Sequence, residues 1–361
     1  DGRLIMKLFR RLEEGPNPDV EICEQLTRRT PFRRVPRVAA SLVYEPAGER
    51  VAHLAMAQEL VNSQSDGWTH ALGELGRYYE EAPQRDAPGA ELLPDAQVLE
   101  LAARPTPQAI CELAGGYIDS AQLLGRRTAE LHAALASDTA APTFVPEPLT
   151  KEDVAQIAAQ TIGQARRARA LLDLRFESLP PEIAATARDT VASAEAAVQR
   201  LQRARSIDAA AMRIRIHGDF HLGQVLWSEG DFYIIDFEGE PARPLDDRRL
   251  KQSPLKDAAA MLRSFSYAAY AALFAQTSTP AEFDRLEPWS RVWQIWSGAA
   301  FLRGYLSVDA VLPLLPSDAE QRRLLLDLFR LDKGFYELEY ELNNRPDWTR
   351  IPLRGLQTMV L

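Results

Sequence analysis

The chain is predicted to adopt an α+β fold with two unequal lobes. The small amino-terminal lobe combines a sheet with a helix, and the larger lobe is mainly helical. Three observations favour this class. Residues 4–60 contain strand-like, helix-like and again strand-like segments, whereas most of the later sequence has apolar residues at helical spacing. Within that helical part, residues 213–236 form a predicted β-hairpin that carries several polar side chains.

The small lobe is predicted from alternation and capping signals. Residues 4–9 alternate apolar and polar side chains, so they are predicted to form a strand with Lys7 on the face opposite the apolar residues. Asp19 is predicted to cap a helix over residues 20–26. Two further strands are predicted over residues 37–44 and 51–60.

The polar, glycine-containing segment 62–69 is the predicted linker, which divides the chain into lobes of residues 1–62 and 63–361. Beyond the linker, apolar stripes predict helices, one of which begins with a capping-box pattern at Thr150 and Asp153. The predicted helices cover residues 108–136, 150–171, 182–205, 257–275, 289–306 and 318–343.

Composition excludes several classes of protein. The 361 residues carry a formal net charge of -9, which disfavours a general nucleic-acid binder. No apolar run is long enough to span a membrane, and no signal peptide opens the sequence. Two isolated cysteines, Cys23 and Cys111, indicate a reducing, cytoplasmic location. Because the chain starts inside a predicted strand without an initiator Met, it is interpreted as a fragment of a longer chain.

The hairpin carries the residues with the clearest chemistry. Asp219 precedes Gln224 by five positions, the spacing between the catalytic Asp and the metal-binding Asn in the kinase pattern H-R-D-x-x-x-x-N. Asp236 then begins Asp-Phe-Glu, where protein kinases carry Asp-Phe-Gly. Asp219 is therefore predicted to accept a hydroxyl proton, and Gln224 and Asp236 are predicted to bind a divalent metal.

Two residues of the small lobe complete the predicted site. Lys7 on the first strand and Glu21 on the following helix have the order of the lysine and glutamate that pair over nucleotide phosphates in kinases. Structural alternatives exist for both, because an exposed strand lysine and a solvated helical glutamate are common.

The polar residues of the hairpin also have other interpretations. Asp219 alone could be a turn carboxylate. His217 and His221 flank it and imitate a metal-ligand cluster, but the five histidines of the chain form no second cluster. Orientation of the loop by hydrogen bonds is the favoured role for both histidines.

These residues resemble a known family. The chain is similar to the aminoglycoside phosphotransferase-like kinases, which have a protein-kinase-like fold, and more narrowly to bacterial maltokinases, particularly the kinase region fused behind trehalose synthase. The matching segments are residues 7–21, 217–224, 236–241, 253–263 and 340–348. The resemblance departs at the start, because the family has an extra amino-terminal segment and a loop over the phosphates before the position of Lys7. The amino-terminal lobe is therefore expected to be truncated.

The resemblance implies transfer of phosphate from ATP to maltose, giving maltose 1-phosphate, with Mg²⁺ as metal. It implies that Asp219 is the base, that Gln224 and Asp236 bind Mg²⁺, and that Lys7 paired with Glu21 positions the phosphates. It also implies a partner, a fused or associated trehalose synthase domain, and no nucleic acid or membrane.

The resemblance further implies the binding sites for adenine and sugar. The backbone of Gln58, Glu59, Leu60 and Val61 is expected to bind adenine. Asp257 is expected to steady the catalytic loop. The terminal helix is expected to supply sugar-binding side chains, and Lys333, Tyr336 and Tyr340 share one helical face by their spacing. Packing of the two tyrosines within the helical lobe is the structural alternative.

Two other functions stay open. One is another small-molecule kinase of the same fold, acting on glucosamine or an aminoglycoside, and a polycationic aminoglycoside would require an acidic pocket. The other is a non-catalytic kinase-like binding module, which the combined presence of Lys7, Asp219 and Asp236 disfavours.

Overall fold

A computed structural model describes residues 2–45, 51–138, 140–179 and 211–360, together with residues 184, 187, 190 and 193. Most of the helix predicted over residues 182–205 lies outside the described residues. The fold is the expected mixture of small sheets with a large helical body, a protein-kinase-like arrangement of two lobes.

The sheets are small. The strands are β1 (Leu4–Leu8), β2 (Val38–Tyr44), β3 (Ala52–Glu59), β4 (Ser65–Asp66), β5 (Glu147–Pro148), β6 (Met212–Arg213), β7 (Val225–Ser228) and β8 (Asp231–Ile234). They form an antiparallel sheet of order β1-β3-β2, a second of order β4-β7-β8, and the pair β5-β6. In the first sheet, Lys7 lies opposite Met56 in register.

The helices account for most of the larger lobe. They are α1 (Pro18–Arg29), α2 (Gly67–Glu81), α3 (Val98–Ala102), α4 (Gln108–Ala114), α5 (Tyr117–Leu135), α6 (Lys151–Arg175), α7 (Leu245–Arg248), α8 (Leu255–Gln276), α9 (Pro280–Leu306), α10 (Ala319–Asn344) and α11 (Arg350–Val360). Short 3₁₀ turns connect several of them, including Leu222–Gln224 before β7.

The core of the helical lobe lies where α5 packs against α9. Its largest fully buried side chains include Tyr117, Trp293 and Phe301. Gly125 of α5 and Gly304 of α9 allow a close approach of the two helices, because a Cβ at either position would collide with a backbone oxygen of the other helix. This rigid body supports the hairpin and the helices that flank it.

The structure corrects several predicted boundaries. Asn17, not Asp19, caps α1, because its side chain accepts a hydrogen bond from the Asp19 N–H and Pro18 takes the first helical position. The predicted linker 62–69 is shorter than expected, since Asp66 caps α2. The helix predicted over residues 108–136 is split at Gly115, whose φ of 55° is incompatible with a continuous helix.

The hairpin and two helices show further differences. The first apolar run, residues 213–216, does not join the hairpin: Arg213 pairs with β5, and Ile214 bridges to Gln252. Helix α9 begins at Pro280, well before the predicted residue 289, and α2 and α11 were not predicted. The predicted capping box at Thr150 and the helix predicted over residues 318–343, which is α10, are confirmed.

Candidate active site

The catalytic loop is held by a buried carboxylate. Asp257, in the first turn of α8 and 1% exposed, accepts hydrogen bonds from the backbone N–H groups of His217 (2.8 Å) and Gly218 (3.0 Å). His132 Nε2 lies 3.0 Å from the same carboxylate. Burial alone would raise the pKa of Asp257, but the hydrogen bond from His132 and the backbone donors lower it, so the group stays ionised. The loop that carries Asp219 is thereby fixed at its start.

The two histidines of the loop act as orienting groups. His217 Nε2 donates to the Ile235 carbonyl at 2.9 Å, which connects the loop to the end of β8. His221 Nδ1 accepts from the Gly223 N–H at 3.1 Å, which forms the turn before Gln224. Each histidine therefore uses a ring nitrogen to hold backbone groups, His217 at the end of β8 and His221 within the loop, as expected for an orienting role.

Gln224 and Asp236 are brought together at the end of the hairpin. Gln224 Nε2 donates to Asp236 Oδ2 at 3.1 Å. Asp236 has φ 66°, a left-handed conformation that is uncommon outside glycine and costs of order 1–3 kcal/mol. Such strain persists where the surrounding structure requires one side-chain direction, and here it directs the carboxylate toward the small lobe.

Lys7 reaches this carboxylate from β1. Its Nζ lies 2.9 Å from Asp19 Oδ2, 2.6 Å from Asp236 Oδ1 and 2.5 Å from Glu238 Oε1. Burial would lower the pKa of Lys7, but the three carboxylates outweigh it and raise the pKa far above its usual value. The ammonium is therefore charged, and it links the strand of the small lobe to the catalytic hairpin.

The predicted pairing of Lys7 with Glu21 is wrong. Glu21 instead binds Arg215 at 2.6 Å and Arg249 at 2.9 Å, and the acidic partner that α1 provides for Lys7 is Asp19. The physical reason is helical geometry: residues two apart lie about 200° apart around the axis, so Asp19 and Glu21 face different neighbours.

Two residues of this cluster were missed in the sequence. Glu238 is the third residue of the Asp-Phe-Glu segment, so its presence beside Asp236 was a usable signal. Asp19, 2% exposed, had been assigned to helix capping. Its second oxygen, Oδ1, accepts from the Phe237 N–H at 2.9 Å, which fixes the segment after Asp236.

The cluster has the donor set of a magnesium site. Ligand oxygens of Asp19, Asp236 and Glu238 lie within 4.8 Å of one another. Carboxylate oxygens are the ligands that Mg²⁺ prefers, and the Lys7 ammonium among them shows that the site attracts positive charge. The side chains present therefore fit the expected metal, with the Gln224 carboxamide beside Asp236.

The residues predicted to bind the sugar belong to α10 and lie near Asp219. Lys333 Nζ is 3.6 Å from Asp219 Oδ1 and 4.9 Å from the centre of the Tyr336 ring. The rings of Tyr336 and Tyr340 are stacked with centroids 6.5 Å apart. Burial and Glu240, to which the Tyr336 hydroxyl is hydrogen-bonded, raise the pKa of Tyr336 above its usual value.

A cavity of about 560 Å³ opens beside these tyrosines, between α6, α10 and the segment after the hairpin. A smaller adjoining cavity shares part of its lining and includes Asp219 and Lys333. The residues common to both cavities are Gln164, Glu240, Arg243, Lys256, Phe329, Asp332 and Tyr336. Helix α10 therefore faces a space that extends to Asp219, the predicted base.

The segment predicted for adenine lies at the end of β3. Gln58 and Glu59 are the last residues of that strand, and Leu60 and Val61 follow it. The N–H of Glu59 donates to the Arg37 carbonyl and that of Leu60 to the Arg3 carbonyl, both at 2.9 Å. These two amides support the sheet, and the adenine assignment stays a prediction.

Taken together, an aspartate beside a cavity and a lysine–carboxylate cluster behind it define the class of phosphotransferases. The family model described as "Phosphotransferase enzyme family" (APH) matches residues 107–289. The chain belongs to this family. ATP with Mg²⁺ is typical of the family, so the prediction of these cofactors is confirmed at that level.

Curated relatives are named glucosamine kinases. One from Streptacidiphilus jiangxiensis is 28% identical over 235 residues, which cover 63% of this chain and 46% of the relative. One from Mycolicibacterium smegmatis (strain ATCC 700084 / mc(2)155) is 25% identical over 358 residues, covering 99% of this chain and 75% of the relative. The chain thus spans only about half the length of the first relative.

Solved structures support the fold. A glucosamine kinase in complex with glucosamine, ADP and inorganic phosphate has a TM-score of 0.71 at 24% identity, covering 99% of this chain and 76% of the other. A second crystal form of a glucosamine kinase has a TM-score of 0.70 at 23% identity, covering 99% and 73%. Within the part of the chain that the structure describes, no helix is both long and apolar enough to cross a bilayer.

Proposed function

We propose that the chain is an ATP-dependent sugar kinase with Asp219 as general base. The observation that carries the proposal is the position of Asp219, which borders the cavity with Lys333 and Tyr336 and follows a loop fixed by Asp257. A sugar hydroxyl in that cavity would lose its proton to Asp219 as its oxygen attacks the terminal phosphorus of ATP. The phosphorus–oxygen bond to ADP breaks in the same displacement.

The phosphates are proposed to lie between the hairpin and β1. Lys7 would orient them, and Asp236 and Gln224, with Glu238 beside them, would hold Mg²⁺. When bound, the metal supplies positive charge that offsets the charge of the phosphate oxygens. Gln58, Glu59, Leu60 and Val61 are proposed to contact adenine because they end the strand that pairs with β1.

We propose maltose as the acceptor, to which ATP would transfer its terminal phosphate to give maltose 1-phosphate, with Asp219 as the base. The cavity of about 560 Å³ is within the range of small-molecule sites, and the stacked Tyr336 and Tyr340 offer an aromatic surface for the apolar face of a sugar. Lys333, Tyr336 and Tyr340 are the proposed sugar-binding residues.

The charges of the cavity favour a neutral sugar over an amino sugar. Glu240 binds Arg243 at 2.6 Å, and Glu339 lies 3.7 Å from Arg167. Asp332 accepts from the Thr161 hydroxyl at 2.8 Å, and the cations of Arg243 and Lys256 line the same cavity. An ammonium group would need a carboxylate that is not already compensated, because unpaired buried charge is costly.

Glucosamine is the second candidate, and it is favoured by the names of the relatives. An aminoglycoside or a non-catalytic binding role has no comparable support.

The lobe boundary between residues 62 and 63 is also proposed, and it is supported by the pairing of β4 with β7, which attaches residues 65–66 to the hairpin. A trehalose synthase partner, fused or associated, stays a prediction from sequence resemblance.

The experiment offers the purified chain ATP, Mg²⁺ and either maltose or glucosamine, and measures ADP release and the phosphorylated product by ³¹P NMR. We expect phosphorylation of maltose with a kcat/KM at least about tenfold above that for glucosamine. A preference for glucosamine would contradict the acceptor assignment. Phosphorylation of neither sugar by a chain that binds ATP would contradict the kinase proposal.

A further inference from the structure

A second cavity lies away from the proposed active site, where α8, α9 and α10 meet the loop before α3. Its volume is about 310 Å³, near the lower end of the range for small-molecule sites. The Trp296 Nε1–H donates to the Leu92 carbonyl at 3.0 Å, which holds the loop over the cavity. Leu93, Leu262 and Ile295 supply apolar lining.

On α8 and α9, three polar side chains that line this cavity have no partner among the described residues. The Ser266 hydroxyl is buried without a hydrogen bond, and the residue is 3% exposed. The Arg291 guanidinium forms no ion pair with any described residue, and its Nε is buried without a partner. Gln294, one turn after Arg291 on α9, also lines the cavity and has no hydrogen bond in the described part of the chain.

Unsatisfied polar groups of this kind are costly. A buried hydroxyl or guanidinium nitrogen without a partner loses its hydration and gains nothing in return, so native proteins contain few of them. Two such atoms, Ser266 Oγ and Arg291 Nε, lie around this one cavity, which indicates that something else completes their hydrogen bonds. Their types identify the chemistry: a guanidinium binds a carboxylate or phosphate, and a hydroxyl and a carboxamide bind hydroxyl groups.

The other arginines of the lining are paired, so Arg291 is the lining arginine without an ion pair to a described residue. Arg263 donates to Glu337 at 2.8 and 2.7 Å, and Arg330 Nη1 lies 3.2 Å from Asp327. Asp95 lies in the lining loop and favours a ligand with one anionic end over a polyanion.

We propose that this cavity binds a small hydroxylated organic anion, with Arg291 on its carboxylate or phosphate group and Gln294 and Ser266 on its hydroxyls. The site is separate from the proposed kinase site, and the proposal does not rest on the proposed function. It follows from the convergence on one cavity of a guanidinium without an ion pair, a carboxamide and a buried hydroxyl, none of which has a partner shown among the described residues.

The test uses the full chain without nucleotide and three probes of similar size: glycerol 3-phosphate, glycerate and uncharged glycerol. Binding is measured by isothermal titration calorimetry and by the shift of the melting temperature. We expect one of the two anions to bind and to raise the melting temperature, and glycerol to do neither. The tighter of the two anions identifies the anionic group as phosphate or carboxylate.

Arg291→Gln should weaken binding of that anion at least about tenfold. Arg285→Gln is the matched control, because Arg285 is exposed on the same helix outside the cavity lining, and it should bind like the wild type. Ser266→Ala should also weaken binding while raising the melting temperature of the ligand-free chain, since it removes a buried unsatisfied hydroxyl.

Equal affinity of Arg291→Gln and the wild type would overturn the proposal, as would the absence of binding of either anion below about 10 mM. If Arg291→Gln fails to fold by circular dichroism, Gln294→Leu replaces it with the same expectation and the same contrary outcome.

Discussion

Asp219 and Lys7 are each held by contacts that the other does not share. Asp219 follows the loop whose backbone is bound by Asp257, whereas Lys7 reaches Asp236 from another strand. In the proposed mechanism, proton acceptance is therefore separate from phosphate binding. Substitution of one residue should therefore leave the task of the other intact.

Asp219→Asn is expected to lower kcat of the sugar kinase reaction about 10²- to 10⁴-fold, because the amide cannot accept the hydroxyl proton. The KM for ATP should change little, since the Lys7 cluster does not include this carboxylate. Steady-state kinetics with both substrates would check this expectation.

The matched control for that experiment is Asp284→Asn, which makes the same chemical change at an exposed position of α9 and should leave kcat unchanged. Full activity of Asp219→Asn would show that another group accepts the proton.

At the scale of secondary structure elements, α1 connects the two lobes through both of its sides. Asp19 binds Lys7 and the Phe237 N–H, and Glu21 binds Arg215 and Arg249 of the larger lobe. Arg215 is 1% exposed, so its charge needs a nearby carboxylate. Burial would raise the pKa of Glu21, but both arginines lower it. The two-arginine contact of Glu21 therefore holds α1 in the position that presents Asp19 to Lys7.

A double-mutant cycle of Glu21→Gln and Arg249→Gln should show a coupling free energy of about 1–2 kcal/mol, since both side chains are largely buried and linked by two hydrogen bonds. Unfolding in urea measures this coupling. The KM for ATP of Glu21→Gln should rise several-fold, because loosening α1 displaces the partner of Lys7.

Additive free energies for the two substitutions would mean that the Glu21–Arg249 contact contributes nothing measurable. Arg28→Gln serves as a control, since Arg28 is an exposed residue of α1 whose ion-pair partner among the described residues is Glu24 of the same helix. It should change neither stability nor KM.

At the scale of the whole molecule, ionised carboxylates connect elements that are distant in sequence. Asp257 connects α8 to the catalytic loop and to α5, and Asp231 connects the hairpin to Arg127 and Arg34. Burial would raise the pKa of each, but their hydrogen bonds and ion pairs lower it. Glu341 behaves oppositely, because burial raises its pKa.

The lowered pKa values determine how the stability of the fold depends on pH. Aspartates whose pKa is lower in the folded than in the unfolded chain contribute stability that is fully present above an unfolded pKa of about 3.9 and is lost as the pH falls through the folded value. We expect the melting temperature to fall by roughly 10 °C or more between pH 5 and pH 3, measured by calorimetry.

Asp257→Asn should lower the melting temperature at pH 7 and reduce its dependence on pH below 4, because the asparagine cannot be protonated there. A melting temperature that stays constant down to pH 3 would contradict the assigned direction of these pKa changes.

Local sequence determined much of the chemistry and the class of the fold. Asp219, Gln224 and Asp236 were identifiable because they lie within one short segment, residues 219–236, where spacing along the chain limits distance in space. Alternation and helical stripes predicted β1 and the terminal helix because each pattern records which face of an element meets the core.

Only the tertiary structure decided the partners of those residues. Asp19 rather than Glu21 faces Lys7, because the orientation of α1 depends on Arg215 and Arg249. These arginines are 194 and 228 residues from Glu21 in sequence. The same holds for Glu238 beside Lys7 and for the cavity lined by Ser266, Arg291 and Gln294. Contacts between distant segments depend on how helices pack, and spacing along one chain does not record that packing.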